Sequence, residues 1–393
     1  MDFSLSEEQQ SVRASVRKLA ERLLRPRARD FEAAKTIPGE VRQAIAQAGL
    51  FGMLVPEQYG GTALDPVSYC LAIEELARGC ASTAITVSVS NSVVAAPISL
   101  YGSSTQKQRY LPDLARGETL GAFCLTEPHA GSDVAALRAR AERTRAGYRL
   151  RGAKAWVTNA GWAHLFIVFA STDTAAGGRG LSAFIVESDN PGLRVGPPER
   201  KMGLLASSTA PVYLEGCEVD ESARLGNEGH GMVIALETLD AARMGVAAQS
   251  VGIAQAALEE ALAYARSRQA FGRPISQFGA VRAMLADMAS ELEAARLLML
   301  RAASLRASGA PFARHASMAK LYASEAANRV VARAVQIHGA AGFSAETTVE
   351  RLYRDARVTT IYEGTSEIQR LVIARHLLGR SRGAKTVPWR ATR

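Results

Sequence analysis

Cysteine is scarce in this chain, with four among 393 residues, and Cys70, Cys80, Cys124 and Cys217 form no CxxC pair and no metal-ligand spacing. That excludes a disulfide framework and a thiolate metal centre. The histidines His129, His164, His230, His315, His338 and His376 fall in no HExxH, and no GxSxG occurs, which argues against zincin and α/β-hydrolase chemistry. No GxGxxG follows a strand-like run. Gly226, Gly229 and Gly231 give only the reversed spacing and read as a linker into a later domain. The opening MDFSLSEEQQ has neither a basic stretch nor an apolar one, so no secretory or transit segment is indicated and a cytoplasmic protein is expected. One run without charge, Ala81 to Leu100, has the length of a bilayer crossing. Ser82, Thr83, Thr86, Ser88, Ser90, Asn91, Ser92, Pro97 and Ser99 make it too polar for hydrocarbon, and it reads as a helix buried inside the protein, with no membrane partner.

What is present is ordinary globular composition, 48% hydrophobic and 22% charged, in a chain long enough for two or three domains. The formal net charge is +9, nearly all of the excess from arginine. Two clusters stand out: Arg22, Arg25, Arg27 and Arg29, and the tail residues Arg380, Arg382, Lys385, Arg390 and Arg393. Such clusters are either solvated faces or attractors of an anionic partner.

Periodicity divides the chain. Residues 1–115 read as helical, with Val12, Val16, Leu19 and Leu23 along one face and breaks at Pro38 and Tyr59-Gly60-Gly61. Residues 116–225 carry short β-rich runs, such as Phe166, Val168, Ala170, Phe184 and Val186, bounded by Gly, Pro and Asn. Helical spacing returns over 226–380, clearest at Leu285, Met288, Leu292, Ala295 and Met299, a stripe read as core or subunit interface. Residues 381–393 read as a basic, disordered tail. The expected fold class is α+β, ordered helical, β, helical.

The most informative residue is Glu363, in RDARVTTIYEGTSEIQRLVIAR, placed between a strand-like run, Val358 to Tyr362, and a helix, Ser366 to Leu378. Burial against Ile361 and Tyr362 raises a carboxyl's proton affinity toward neutrality, which suits a base. Gly364 has no side chain, so a substrate carbonyl can approach its backbone N–H. A glutamate in this position also suits a plain helix cap, and spacing alone leaves both readings open.

This segment resembles the catalytic signature of the acyl-CoA dehydrogenase family. CLTEPHAGSDVAA (Cys124 to Ala136) is similar to the family's first signature, with Thr126, Glu127, Gly131, Ser132 and Asp133 in place. QIHGAAGFSAETTVERLYRD is similar to the second, through Gln336, Gly339, Gly342, Phe343, Glu346, Arg351 and Asp355; Ala340 stands where the family usually has Gly or Ser. KAWVTNAG (Lys154 to Gly161), KMG (Lys201 to Gly203) and SRQAFGRPI (Ser267 to Ile275) resemble family segments in the same order, and the likeness covers nearly the whole chain.

The resemblance implies FAD as cofactor, Phe123, Thr126, Ser132, Trp156 and Thr158 toward the flavin, and Arg268, Phe271, Gln336, Gly339, Thr365 and Glu367 as its further contacts. Arg268, Phe271, Gln336 and Gly339 would meet the cofactor of an adjacent subunit in a homotetramer. It implies Glu363 as the base that takes the α-proton and Ser132, Asp240, Arg243, Gly364 and Arg375 on the thioester side. Asp240 and Arg243, three apart on a helix, read equally as a surface ion pair. Some branches of the family carry the base on this helix instead, in the position that Ala242 occupies here, and alanine cannot accept a proton. The implied activity is α,β-dehydrogenation of a short or branched acyl-CoA, with an electron-transfer flavoprotein as acceptor. Two other readings remain: a substrate tethered to an acidic acyl-carrier protein drawn to the N-terminal arginines, and a DNA-associated relative in which a basic face does the work.

Overall fold

The computed structural model describes residues 4–379; the basic tail lies outside the described residues. Seven helices come first: α1 (Glu7–Leu23), α2 (Ala28–Ala34), α3 (Gly39–Gln47), α4 (Pro66–Gly79), α5 (Ala81–Val89), α6 (Ala96–Tyr101) and α7 (Ser104–Arg116). Their starts are written locally. Ser6 with Gln9, and Ser103 with Gln106, close capping boxes on α1 and α7, and Asp65 accepts from Val67 and Ser68 with Pro66 at the first turn of α4.

Eight strands follow: β1 (Leu120–Cys124), β2 (Arg140–Arg143), β3 (Gly147–Thr158), β4 (Ala163–Ser171), β5 (Leu181–Glu187), β6 (Leu193–Val195), β7 (Thr209–Asp220) and β8 (Arg224–Leu225). They form one sheet in the order β6-β7-β3-β2-β4-β5-β8, with β1 parallel to β4. The chain then returns to helix with α8 (Gly231–Ser267), a two-residue-strand hairpin of β9 (Gln269–Ala270) and β10 (Arg273–Pro274), and α9 (Gly279–Ala307), α10 (Ala313–His338), α11 (Thr348–Arg357) and α12 (Ser366–Leu378). The fold is helical, β, helical.

Two expected elements differ. Val358 to Tyr362 is no strand: Val358–Thr360 is a single 3-10 turn, closed by Ile361 and Tyr362 N–H groups donating to the Val358 carbonyl. Its β-branched residues suit a strand, but nothing pairs with them there, and Thr359 Oγ1 donates back to the Ala356 carbonyl at 2.7 Å instead. The buried run at Ala81 is helical to Tyr101 but is interrupted by a π-turn over Ser90–Ala95. It is long and apolar enough to cross a membrane by composition, and 89% of it is buried inside the protein. Asn91 explains the tolerance for polar residues, since its Nδ2 donates to the Leu50 and Val87 carbonyls at 2.9 and 3.0 Å.

The two helical regions are locked together through α4. Glu75 on α4 is fully buried and accepts from Arg13, Arg17 and Arg78, while Glu74 pairs with Arg296 of α9 at 3.0 Å. Arg78 reaches Glu259 of α8 at 3.0 Å. Three of the four arginines of the N-terminal cluster are paired, Arg25 with Glu259 and Glu260, Arg27 with Glu40 and Arg29 with Glu346, and Arg22 is exposed. The stripe on α9 is core, with Met288, Leu292, Ala295 and Met299 buried and Leu285 half-buried.

α4 and α8 meet tightly at Gly252, where an added Cβ would lie 2.2 Å from the Glu74 carbonyl oxygen and 2.7 Å from Ala77. Gly252→Ala is therefore expected to destabilise the protein by about 1–3 kcal/mol through overpacking. Chemical denaturation checks this; an unchanged midpoint would show that the helices separate there without cost.

Candidate active site

Glu363 sits on the turn between the 3-10 segment and α12 with φ 51°, and Gly364 follows at φ 94°. A left-handed glutamate is strained, so the surroundings must hold it. Gln369 on α12 donates through Nε2 to the Glu363 and Gly364 carbonyls at 3.2 and 3.0 Å, and Lys320 of α10 donates to the Gly364 carbonyl at 2.7 Å. Thr365 caps α12 by accepting from Ile368 N–H. Tyr362 is anchored through its hydroxyl to Gln249 of α8, whose Nε2 donates to the Ala81 carbonyl at 3.0 Å.

The residue is half-buried as a whole, but its Oε2 is enclosed and has no hydrogen-bond partner among the described residues. Burial pushes the carboxyl up to about 7, against the opposing pull of Lys320 and Arg243. Burial likewise pushes the Lys320 ammonium down to about 8, with Glu363 resisting. Arg243 is 4% exposed, pairs with Asp240 and contacts Ser317 Oγ at 3.1 Å. The Asp240–Arg243 pair is thus no surface pair: burial raises the Asp240 carboxyl and lowers the Arg243 guanidinium. On the α4 side, Tyr69 OH lies 2.9 Å from Ser88 Oγ, and a Cβ on Gly245 would meet both side chains.

On the β domain, the Ala155 N–H donates to the Thr126 carbonyl at 2.9 Å, which sets Trp156 beside Thr126. Trp156 adopts φ 59° in a bulge of β3 and leaves its indole 59% exposed. Thr126 and Thr158 are half-buried, and Phe123 packs edge-on against Phe169 at 4.9 Å. The loop below them is pinned by a buried pair, Lys154 with Glu127 at 2.8 Å, Glu127 also accepting from the Arg138 and Ala139 N–H groups. Asn159 donates to the Thr86 and Gly121 carbonyls, and Leu204 N–H donates to Asp355 at 2.6 Å, so the end of β3 abuts α5 and the adjoining loop abuts α11. An open indole face beside two hydroxyls fits a planar heteroaromatic ring with a polar edge.

The other expected contacts lie elsewhere. Arg268, Phe271, Gln336 and Gly339 are all exposed, Phe271 by 96%, and the Tyr264–His338 stack at 4.2 Å brings their helix ends together. His338 lies roughly 27 Å along α10 from Lys320 at 1.5 Å per residue, so one protomer does not unite this group with Glu363. Ser132 and Glu367 are exposed, and Arg375 is exposed in the last turn of α12, about 14 Å along the helix from Ser366. Lys320 and Gln369 were missed by sequence reading. A signal existed for Lys320: it is a lone cation on a helix face otherwise made of the small residues Ala316, Ser317, Ala323, Ser324 and Ala327, all buried.

Because its folded-state proton affinity exceeds the ordinary 4.5, Glu363 favours folding at low pH and costs stability as pH rises through 7. Glu363→Gln is expected to be more stable than the parent at pH 8, by up to about 3 kcal/mol, with the gap closing toward pH 4. Paired melting curves across that range check the sign.

Three family models match the sequence: acyl-CoA dehydrogenase N-terminal domain over residues 6–118, middle domain over 122–217 and C-terminal domain over 229–378. The chain is 46% identical over 375 residues to an acyl-CoA dehydrogenase of Bacillus subtilis, covering 95% of this chain and 99% of that one. It is 46% identical over 374 residues to the mitochondrial short-chain specific acyl-CoA dehydrogenase of Rattus norvegicus, covering 95% and 91%. Among solved structures, butyryl-CoA dehydrogenase from Megasphaera elsdenii superposes with a TM-score of 0.94 at 41% identity, covering 96% of this chain and all of that one.

Proposed function

The chain belongs to the acyl-CoA dehydrogenase family and is an FAD-dependent oxidoreductase, and we propose that it desaturates short or branched acyl-CoA thioesters with Glu363 as the α-proton base. The observation that carries this reading is Glu363, whose enclosed Oε2 has no hydrogen-bond partner among the described residues and whose proton affinity lies near neutrality. Such a group is poised to take a proton from carbon at physiological pH.

Thr126, Trp156 and Thr158 would hold the FAD ring, which when bound would supply the acceptor for the β-hydride. Gly364 offers its N–H to the thioester carbonyl, and negative charge developing there makes the α C–H more acidic. Glu363 takes that proton, so the C–H electron pair becomes the new double bond as the β-hydride leaves. Tyr69, which acts on Glu363, is bonded to Ser88 and packs tightly against Gly245 of α8, a narrow arrangement that supports a short acyl chain. Relatives named short-chain support the same preference. Arg243, with Asp240, lies on the thioester side, and Ser132 and Arg375 are assigned outer positions there. Electron-transfer flavoprotein is the proposed acceptor of the electrons.

Separation of Arg268, Phe271, Gln336 and Gly339 from Glu363 within one protomer supports a homotetramer in which that group completes a neighbour's cofactor site, while Thr365 and Glu367 stay with the base of their own protomer. The carrier-protein reading loses its main support. Arg25 engages Glu259 and Glu260, roughly 24 Å along α8 from Arg243, and Arg27 and Arg29 are paired as well. The same pairing weakens the DNA-associated reading.

Anaerobic addition of short, medium and branched acyl-CoA to the FAD-loaded protein tests the assignment: a short or branched thioester is expected to bleach the flavin fastest. Glu363→Gln is expected to keep its yellow flavin and to reduce it at least ~100-fold more slowly, the scale of general-base catalysis. A variant that reduces at the parent rate would remove Glu363 from the role.

A further inference from the structure

We propose that Lys320 is a positioning residue for the base: its ammonium pins the Gly364 carbonyl and stands as the fixed positive charge facing the Glu363 carboxylate. The inference rests on the reading of Glu363 as base. Lys320 is 0% exposed, set among the small residues of α10. Burying an ammonium is costly, so its retention needs a reason beyond packing.

Hydrogen bonding alone does not supply that reason. The Gly364 carbonyl already accepts from Gln369 Nε2 at 3.0 Å, and Lys320 adds a second bond at 2.7 Å. What Gln369 cannot supply is charge. The groups that act on the base are Arg243 from α8, Lys320 from α10, Tyr69 from α4 and its neighbour Tyr362, while Asp240 acts on Arg243, and Glu367 of α12 and Glu325 act on Lys320. Arg243 also acts on Glu363 but is paired to Asp240 and bonded to Ser317. Lys320 makes no ion pair among the described residues and is bonded there to a neutral carbonyl, so its field on Glu363 is not offset by a carboxylate paired to it. It keeps the carboxylate ionised before reaction. Once the proton has transferred, it faces the negative charge gathering on the thioester.

The test follows the Glu363 carboxyl by carbon-13 NMR in glutamate-labelled, FAD-loaded protein, its signal identified by its loss in Glu363→Gln. In Lys320→Met the titration midpoint is expected to rise by about one to three units, the usual effect of losing an adjacent opposite charge. The acid limb of the rate of flavin reduction by substrate is expected to move with it. Lys320→Gln, which keeps a donor for Gly364 but not the charge, should show the same rise and serves if the methionine variant does not fold. Gln369→Leu should slow reduction without moving the midpoint. A midpoint unmoved in Lys320→Gln with flavin retained would overturn the proposal. Rapid flavin reduction by Glu363→Gln would overturn the base assignment itself, a separate result.

Discussion

Burying charge in an apolar interior is the constraint around which this structure is built. A buried ion must be paired and hydrogen-bonded or must change its protonation. Glu75 takes the first course: it accepts from three arginines, and its carboxyl lies below the ordinary range despite complete burial. Glu127 does the same in the β domain, with Lys154 and two backbone N–H groups. Glu363 is left incomplete. Lys320 and Arg243 act on it through space, neither is bonded to it, and one of its oxygens has no partner among the described residues. Completed pairs make architecture, whereas the incomplete one is free to exchange a proton.

The completed pairs also fix where the incomplete one sits. Glu74, Glu75 and Arg78 face α1, α8 and α9 from a single helix, so α4 cannot slide or rotate without stranding a buried charge. Replacing such a network by apolar side chains is often neutral for stability, so its role is registration more than strength. Registration matters because α4 carries Tyr69 and α8 carries both Arg243 and Gln249, the anchor of Tyr362. One residue of slippage along α8 would move Arg243 by about 1.5 Å and turn it by about 100°, out of reach of the Glu363 turn.

Much of this was legible in the sequence, because helix and strand periods are local and the order helical, β, helical follows from them. Ser366 to Leu378 was readable as a helix, and Ala81 to Leu100 as a buried one. What was not legible depends on partners distant in sequence. Val358, Thr359, Thr360 and Ile361 have strand composition but no strand beside them, and Val358 to Thr360 became a 3-10 turn. The arginines at 25, 27 and 29 read as a free basic cluster because Glu259, Glu260, Glu40 and Glu346 are brought to them only by folding. The same holds for the site: Glu363 stands out by its neighbours in sequence, while Lys320 lies far upstream and is joined to the turn only when α10 packs on α12.

Backbone strain follows the same division between what a protomer completes by itself and what it leaves open. Trp156, Asn159, Leu204, Phe271 and Glu363 are non-glycine residues with positive φ, a conformation costing on the order of 1–3 kcal/mol that persists only where surroundings impose it. Asn159 is held by the Thr86 and Gly121 carbonyls, Leu204 by Asp355 and Glu363 by Gln369. Phe271 is different. With Gly272 it forms the two-residue tip between β9 and β10, both at positive φ, where Asn-Gly is the favoured pair. It is 96% exposed, and its ring stands edge-on to Phe278 at 6.1 Å. A large aromatic at an unfavourable turn position, unburied in its own protomer, lowers the free energy of no structure that the protomer forms alone. The proposed assembly would account for it: a neighbouring subunit covering this tip would supply the offsetting gain and would also complete the cofactor site proposed above.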